Sequence, residues 1–233
     1  MVPGAWVRAI RMKHIGIVAA LPGELKPLIK DWQHKGSVYA GRIDGIECIA
    51  TSAGMGARSA ESACERVLGG GPLDAIISLG WAGSLSCGLK PPGAFVISEV
   101  MDGVTGDLYP TASTEGYRLV TLDHVARHDE KRMIAERYQA PLVDMEAATV
   151  ARIAQRRGIA FYCFKGISDG ANDKLPDFNR FLGKDGQLRM PAFVVHALLH
   201  PQYWVRLKQL GENSKAAASN MARLVTESLS RTL

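Results

Sequence analysis

Acidic and glycine-rich segments follow the predicted strands at four places in this chain. They are Pro22-Gly23-Glu24, Gly80-Trp81-Ala82-Gly83, Val143-Asp144-Met145-Glu146 and Ser168-Asp169. Carboxylates can transfer protons and accept hydrogen bonds from hydroxyl groups, and glycines let a ligand approach the backbone closely. Because ligands of layered α/β folds bind beyond the carboxyl ends of the strands, we expect these segments to surround one site.

Short apolar runs alternate along the chain with longer helical patterns, which predicts an α/β fold. The predicted strands are residues 15–21, 37–43, 45–52, 74–80, 95–100, 117–122 and 159–167. The predicted helices are residues 23–31, 57–68, 129–138, 146–157, 191–200, 202–210 and 214–230. Asp44-Gly45 is a strong hairpin-turn signal, so antiparallel pairs are expected beside parallel ones. We expect a three-layer sandwich with a mixed central β-sheet.

The N-terminal region is best interpreted as a buried strand preceded by an extension. Basic residues precede the apolar run 15–21 in the outline of a secretion signal, but the run is short and no small-x-small cleavage site follows. If Met12 is the true start, residues 1–11 are a disordered extension and residues 12–233 are a single domain. No stretch approaches the roughly 20 apolar residues that a membrane span needs.

Composition and charge argue against a nucleic-acid or metal partner. The net charge is +5 and the pI is about 9.1, but basic residues alternate with acids, as on solvent-exposed faces. The four cysteines are far apart among apolar or small residues, which indicates reduced core thiols in a cytoplasmic protein. His124 and His128 are isolated histidines, which are more often structural than ligands, and no ligand spacing predicts a metal. We expect no cofactor.

Five segments, in order, resemble motifs of the nucleoside phosphorylase/nucleosidase superfamily. They are Ile15–Ala20 with Glu24, Ser52–Gly56, Gly80–Leu85, Val143–Ala148 and Ile167–Asp169. Each glycine-rich turn alone is common, but all five in order, with the acids in place, form a specific pattern. The pattern is most similar to the hydrolytic branch, the methylthioadenosine/S-adenosylhomocysteine nucleosidases. The resemblance also implies a homodimer, in which a neighbouring subunit completes each site.

The resemblance implies cleavage of a purine N-glycosidic bond through a ribosyl cation resembling an oxocarbenium ion. Glu146 would bind the ribose hydroxyls, Asp169 would protonate N7 of an adenine-type base, and Ser168 would position Asp169. Glu24 would orient or deprotonate the attacking water. The remaining residues implied in the sugar and base pocket are Met145, Gly80, Trp81, Ala82, Gly83 and Val125.

Each of these residues also has an ordinary structural interpretation. Glu24 and Glu146 could be helix-start acids that favour the helix dipole, and Asp169 could form a turn. Trp81 could stack on the base or narrow the pocket floor, and a core-packing role is at least as common. Asp144 is expected to cap a helix rather than bind a ligand.

Two departures from the family pattern favour hydrolysis over phosphorolysis. Phosphorolytic members carry arginines after the first strand and before the central glycine motif, where this chain has Leu21–Glu24 and Ser78. A phosphate dianion needs such donors. Arg58 could substitute, although a surface helix position is the commoner role. A phosphorylase of the same fold stays an alternative, as does a non-catalytic nucleoside-binding module.

The C-terminal third differs from the methylthioadenosine enzymes. Residues 177–182 and the helices beyond resemble the hopanoid-associated branch, whose substrate is an adenosine attached to a long apolar hydrocarbon. The segment between Val100 and Tyr117 is short, and we expect both regions to recognise the 5′ substituent, whose identity stays open. One apolar cluster is predicted to be core or subunit interface, with a channel for a lipid tail as the alternative. Its members are Phe193, Val194, Val195, Leu198, Leu199, Tyr203 and Trp204.

Overall fold

The computed structural model describes residues 12–181, 183 and 189–231. The expected extension, residues 1–11, and Leu182 of the 177–182 segment lie outside these residues. The strands are β1 His14–Ala19, β2 Gln33–Lys35, β3 Val38–Ile43, β4 Ile46–Ser52, β5 Ala75–Ser84, β6 Ala94–Asp102, β7 Leu108–Pro110, β8 Tyr117–Thr121, β9 Leu142–Asp144 and β10 Ala160–Asp169. The helices are α1 Pro22–Leu25, α2 Ala57–Leu68, α3 Lys131–Tyr138, α4 Ala147–Arg157, α5 Met190–Leu199 and α6 Trp204–Arg231, with 3₁₀ turns at Phe178–Phe181 and Pro201–Tyr203.

The described strands form one mixed sheet in the order β10-β6-β8-β9-β5-β1-β4-β3-β2, with β7 on β6. Strand β5 pairs in parallel with β1 and β10 and antiparallel with β9. Since β10 also pairs with β6, the strands β5, β10, β6, β8 and β9 close into a ring. The register sets Gly83 beside Val143 on one side and Asp169 on the other. Three of the four predicted site segments therefore meet at one end of β5.

Two apolar clusters cover opposite faces of the sheet and make it the middle layer of a three-layer sandwich. On one face α2 and α4 pack on Ile76 and Cys163, and on the other α6 packs on Ile77 and Phe164. Neighbouring residues of one strand thus face different layers, as a period of two requires. The predicted α/β fold, with a mixed central sheet, is confirmed.

Two helix predictions are wrong in extent. The helix predicted over residues 23–31 is the single turn α1, because Pro27 has no N–H to continue a helical ladder. The helices predicted over 202–210 and 214–230 form one continuous helix, α6. A glycine costs only about 1 kcal/mol inside a helix, so Gly211 alone does not end one that is anchored on the sheet. The predicted interruption at Pro201 is confirmed.

Three of the four cysteines are core thiols. Cys48, Cys64 and Cys163 are buried, and burial raises the pKa of each thiol to about 12. Cys87 is exposed, so the prediction of a core position is wrong for it. It lies in the turn region that follows β5, where no helix covers the chain. Among the described helices, none is both long and apolar enough to cross a membrane.

Candidate active site

A cavity of about 490 Å³ opens at the carboxyl ends of β1, β5, β9 and β10. It collects the predicted site residues Glu24, Trp81, Ala82, Gly83, Val125, Met145, Glu146, Ser168 and Asp169. Gly80 is the exception, because it lies behind the wall, where an added Cβ would be 3.1 Å from Glu24 Oε1. Gly83 likewise lets Asp169 pack closely on the backbone, since a Cβ added at Gly83 would be 3.3 Å from Asp169 Oδ2.

Glu24 is buried in the turn after β1 and accepts three backbone hydrogen bonds. The amides of Ala20 and Leu21 donate to Oε2 at 2.8 and 2.7 Å, and the amide of Trp81 donates to Oε1 at 2.8 Å. Burial raises the pKa of Glu24 above its ordinary value, although these donors and the charge of Lys165 act in the opposite direction. The carboxylate therefore fills the anion-binding position that the turn offers.

Glu146 lies across the cavity at the start of α4. The amide of Gly56 donates to Oε1 at 2.6 Å, which ties the glycine turn before α2 to this helix. Burial and the nearby charge of Asp144 raise the pKa of Glu146 to about 8, against the opposing effects of Lys165 and the Gly56 amide. Glu146 therefore holds a proton at neutral pH more readily than an ordinary glutamate does.

Asp144 accepts from the first amide of α4, although the N-cap residue of this helix is Glu146 and not Asp144 as the sequence predicted. Its Oδ2 accepts from the Ala147 amide at 3.0 Å, and its Oδ1 accepts from Thr121 Oγ1 at 2.6 Å. Asp144 also pairs with Lys165 Nζ at 2.7 Å, in an ion pair in which both side chains are buried. A buried charge is expensive unless it is paired and hydrogen-bonded, and this arrangement provides both.

Lys165 was missed by the sequence predictions. Its Nζ also donates to Ser78 Oγ at 3.3 Å. Burial lowers its pKa, but nearby acidic groups, Asp144 first among them, outweigh burial and raise it above the ordinary value. The available signal was a lysine inside the otherwise apolar run 159–167.

Asp169 is held by donors on both carboxylate oxygens. Ser168 Oγ donates to Oδ1 at 2.7 Å, and Lys131 Nζ donates to Oδ2 at 2.5 Å and to the Gly170 carbonyl at 2.7 Å. The Lys131 side chain is only 4% exposed. Among the described residues, Asp169 is its one ion-pair partner. No sequence signal distinguishes Lys131, because it lies in a helix rich in charged residues.

Trp81 joins the cavity floor to the C-terminal helix. Its indole Nε1 donates to the Ser214 carbonyl at 2.9 Å, and its ring covers Gly23 closely enough that an added Cβ would be 2.9 Å from the ring. The ring also packs against the apolar cluster beneath α6. Trp81 both lines the cavity and packs on the core, which are the two roles that the sequence left open.

The C-terminal third forms the far wall of the cavity. Asn179 holds the loop after β8 through Oδ1, which accepts from the Val125 amide at 2.8 Å, and Nδ2, which donates to the Val125 carbonyl at 3.0 Å. The apolar residues of this wall are Leu175, Pro176, Phe178, Tyr203 and Leu210. By contrast, none of the residues 101–117 of the same chain lines the cavity, and Leu108–Pro110 within this segment pair with β6 instead. The segment between Val100 and Tyr117 was expected to help recognise the 5′ substituent, and within one chain it makes no such contribution to the cavity.

The other polar residues considered from the sequence either lie outside the cavity or line its mouth. Arg58 is exposed and does not line the cavity. His124 and His128 line the mouth, and His124 is held by Asp123 at 2.7 Å and Glu130 at 3.2 Å. Within residues 12–181, 183 and 189–231, no three His, Cys, Asp or Glu side chains are grouped for metal binding.

The mixed sheet and its carboxylate-lined cavity define an α/β protein with a small-ligand site at the strand ends. The chain belongs to the Phosphorylase superfamily, whose family model matches residues 14–113 and 108–230. No curated protein sequence matches it significantly.

Solved structures with similar folds come from several bacteria. The futalosine hydrolase of Helicobacter pylori has a TM-score of 0.69 at 17% identity, covering 95% of this chain and 98% of that one. The H. pylori 5′-methylthioadenosine/S-adenosylhomocysteine nucleosidase has a TM-score of 0.69 at 18% identity, covering 95% and 99%. The S. pneumoniae nucleosidase of the same name, solved with a transition-state inhibitor, has a TM-score of 0.69 at 17% identity, covering 93% and 98%. The likeness establishes the fold.

Proposed function

We propose that this protein is a purine nucleosidase, which hydrolyses the N-glycosidic bond of a 5′-substituted adenosine and releases adenine. The observation that carries the proposal is that Glu24, Glu146 and Asp169 face one cavity from three sides. The names of the similarly folded structures, which are nucleosidases and a futalosine hydrolase, support this choice of reaction.

Glu146 is the group proposed to hold the ribose. One of its oxygens already accepts from the Gly56 amide, and the remaining lone pairs can accept from the two ribose hydroxyls. Those hydroxyl donors favour the charged carboxylate, which then stabilises the positive charge that develops on the sugar. Met145 and Met55 line the cavity next to Glu146 and supply apolar contact.

Asp169 and Lys131 are proposed to deliver the proton to the departing base. Lys131 Nζ lies 2.5 Å from Asp169 Oδ2 and donates to it. As the bond between C1′ and N9 breaks, its electron pair moves into the purine. Lys131 passes a proton to the Asp169 carboxylate and Asp169 passes it to N7, which leaves the Lys131 amine neutral until it takes a proton back from solvent. Ser168 keeps the carboxyl group in position through its 2.7 Å hydrogen bond. Lys131 acts through Asp169 and is a positioning and relay residue.

Water is proposed as the nucleophile because Glu24 already occupies the anion site. Its carboxylate uses the amides of Ala20, Leu21 and Trp81, which a phosphate would otherwise need. A phosphate dianion beside Glu24 would be repelled, whereas a water can donate to the unused lone pair of Oε1. Water attacks C1′ of the ribosyl cation and loses a proton to Glu24, which completes the hydrolysis.

The test compares base release with and without phosphate. The full chain is incubated with methylthioadenosine, S-adenosylhomocysteine, adenosine and adenosylhopane, and the products are separated by chromatography. We expect adenine and the free sugar, at rates that phosphate does not change. A sugar 1-phosphate as product would establish the phosphorylase instead. Tight nucleoside binding with no adenine over hours would establish a non-catalytic binding module.

The 5′ substituent is proposed to be apolar, because the far wall of the cavity is formed by aromatic and aliphatic side chains. The same panel decides between a short thioether, as in methylthioadenosine, and a long hydrocarbon, as in adenosylhopane. The single-domain organisation, the homodimer and the cytoplasmic location expected from the sequence stay predictions. Sedimentation equilibrium of the purified chain measures the oligomeric state.

A further inference from the structure

Helix α5 carries Val194, Val195, Leu198 and Leu199 on the outside. Its inner side packs aromatic rings, with Phe193 stacked on Phe178 at 5.4 Å, Phe181 5.1 Å from His196, and His196 stacked on His200 at 3.9 Å. The outer side and the first turn of α6 form an apolar patch whose side chains are 44–77% exposed. The apolar patch consists of Val194, Val195, Leu198, Leu199, Trp204 and Val205. A surface helix of a globular domain normally turns its aliphatic side chains toward the core and its polar side chains toward solvent.

The stretch of chain that carries the apolar patch has basic side chains and no acidic ones. The sequence contains no Asp or Glu from Gly186 to Gly211, whereas Arg189, Arg206 and Lys208 lie within that stretch and are exposed. Arg206 reaches Asp173 at 3.5 Å and Lys208 reaches Glu212 at 3.9 Å, and both pairs are at the solvent-exposed surface, where they bind weakly. Aliphatic side chains with a tryptophan and a basic rim are typical of helices that lie in the headgroup region of a bilayer.

The apolar patch lies behind the far wall of the cavity. The rings on the inner side of α5 pack on the turn that contains Phe178, and Phe178 also lines the cavity. Tyr203, in the turn between α5 and α6, and Leu210 of α6 line the same wall. One face of this segment therefore belongs to the apolar end of the cavity and the other to the outer surface.

We propose that the apolar patch docks on the surface of an anionic lipid bilayer. Docking sets the far wall of the cavity beside the bilayer, so that a substrate with an apolar 5′ group can reach the cavity from the membrane. Only this entry route depends on the proposed function. A second copy of the chain fits the patch less well, because two copies would bring Arg189, Arg206 and Lys208 of both chains together, and the nearby acids Asp173 and Glu212 form only weak surface pairs with two of them.

The test measures sedimentation of the full chain with vesicles of phosphatidylcholine, with and without phosphatidylserine. We expect binding to the mixed vesicles that is at least tenfold stronger than to phosphatidylcholine alone and weakens in high salt. The Leu198→Glu/Leu199→Glu variant should lose binding at least tenfold. The matched control is Val104→Glu/Met133→Glu, which charges exposed apolar side chains at 68% and 60% exposure elsewhere and should bind like the wild type.

The proposal is overturned if the wild type does not bind the mixed vesicles or if both double variants bind equally well. It is also overturned if the Leu198→Glu/Leu199→Glu variant dissociates a dimer in analytical ultracentrifugation, because the patch would then be a subunit interface. Circular dichroism melting establishes that each variant is folded. Vesicle binding needs no catalysis, so a failure to release adenine would refute the proposed function and leave this measurement unaffected.

Discussion

The two ends of the cavity are built in opposite ways. At the end formed by the sheet, carboxylates and lysines are held by hydrogen bonds from the backbone and from one another, as in the Asp144–Lys165 pair and the Asp169–Lys131 pair. At the end formed by the C-terminal third, aromatic and aliphatic side chains line the wall, and helix α5 behind them exposes more apolar residues. Strands and short turns define the first end, and a helical segment with few contacts to the sheet defines the second.

This difference separates the reaction from the choice of substrate. Groups that carry charge and protons must be held in one geometry, and the ends of a sheet provide it. Apolar recognition tolerates variation in shape, because many side chains of similar size can fill the same wall. Substitutions at the sheet end should therefore change turnover, and substitutions at the helical end should change which nucleosides bind.

The largest expected effect is that of Asp169→Asn. We predict a loss of turnover of at least a hundredfold, because an amide cannot pass a proton to N7 whereas its oxygen can still accept from Lys131. Adenine release is measured by absorbance under saturating substrate. The control is Asp123→Asn, an exposed aspartate that does not line the cavity and should leave turnover unchanged. Full activity in a folded Asp169→Asn variant would refute the assignment.

A double-mutant cycle extends this prediction to Lys131. If Lys131 acts only through Asp169, then Lys131→Met slows the wild type but has little further effect in the Asp169→Asn background. Independent, multiplicative losses would show that Lys131 contributes separately. Lys131→Arg should restore part of the activity, because a guanidinium can also pair with the carboxylate.

The pKa of Glu146 predicts how stability depends on pH. An ordinary glutamate titrates near 4.5, whereas Glu146 titrates at about 8 in the folded protein. Between these values the folded state binds a proton that the unfolded state lacks, so the free energy of unfolding falls as the pH rises. Glu146→Gln removes this contribution. Between about pH 5 and pH 8.5 the wild type should therefore lose more free energy of unfolding than the variant does. The difference should be at least about 1.4 kcal/mol, the equivalent of one pKa unit.

Urea unfolding at both pH values measures this change. The exposed Glu61 provides the control, since Glu61→Gln should follow the pH dependence of the wild type. Parallel curves for Glu146→Gln and the wild type would mean that Glu146 titrates normally in the folded chain.

The smallest expected effect is at the apolar end. Phe178→Ala should raise KM severalfold for a nucleoside with an apolar 5′ group and leave kcat unchanged, because about 1 kcal/mol of apolar contact is lost far from the reacting bond. Steady-state kinetics with methylthioadenosine and with adenosine measures the contrast, and adenosine should be nearly unaffected. Met133→Ala, at an exposed position outside the cavity, is the control. A fall in kcat would contradict the separation of the two ends.

Much of the fold follows from local patterns. The Asp44-Gly45 hairpin turn forms with positive φ at both residues, and helix Ala57–Leu68 has the predicted bounds. The three-residue strands β2 and β7 were not predicted as separate strands, because so short a run has no readable period. Helix α6 was predicted in two pieces, because its continuity at Gly211 depends on packing against the sheet rather than on propensity.

The sequence by itself determined which segments reach the end of the sheet where the cavity opens. Strand ends, glycine turns and the acids that follow them are local features, and their order along the chain carried the family resemblance. Only the tertiary structure decided what those acids contact. Lys131 meets Asp169 across 38 positions, and Trp81 meets Ser214 across 133. Ionic partners, pKa shifts and the apolar wall depend on burial and on long-range contacts, which no local pattern of residues encodes.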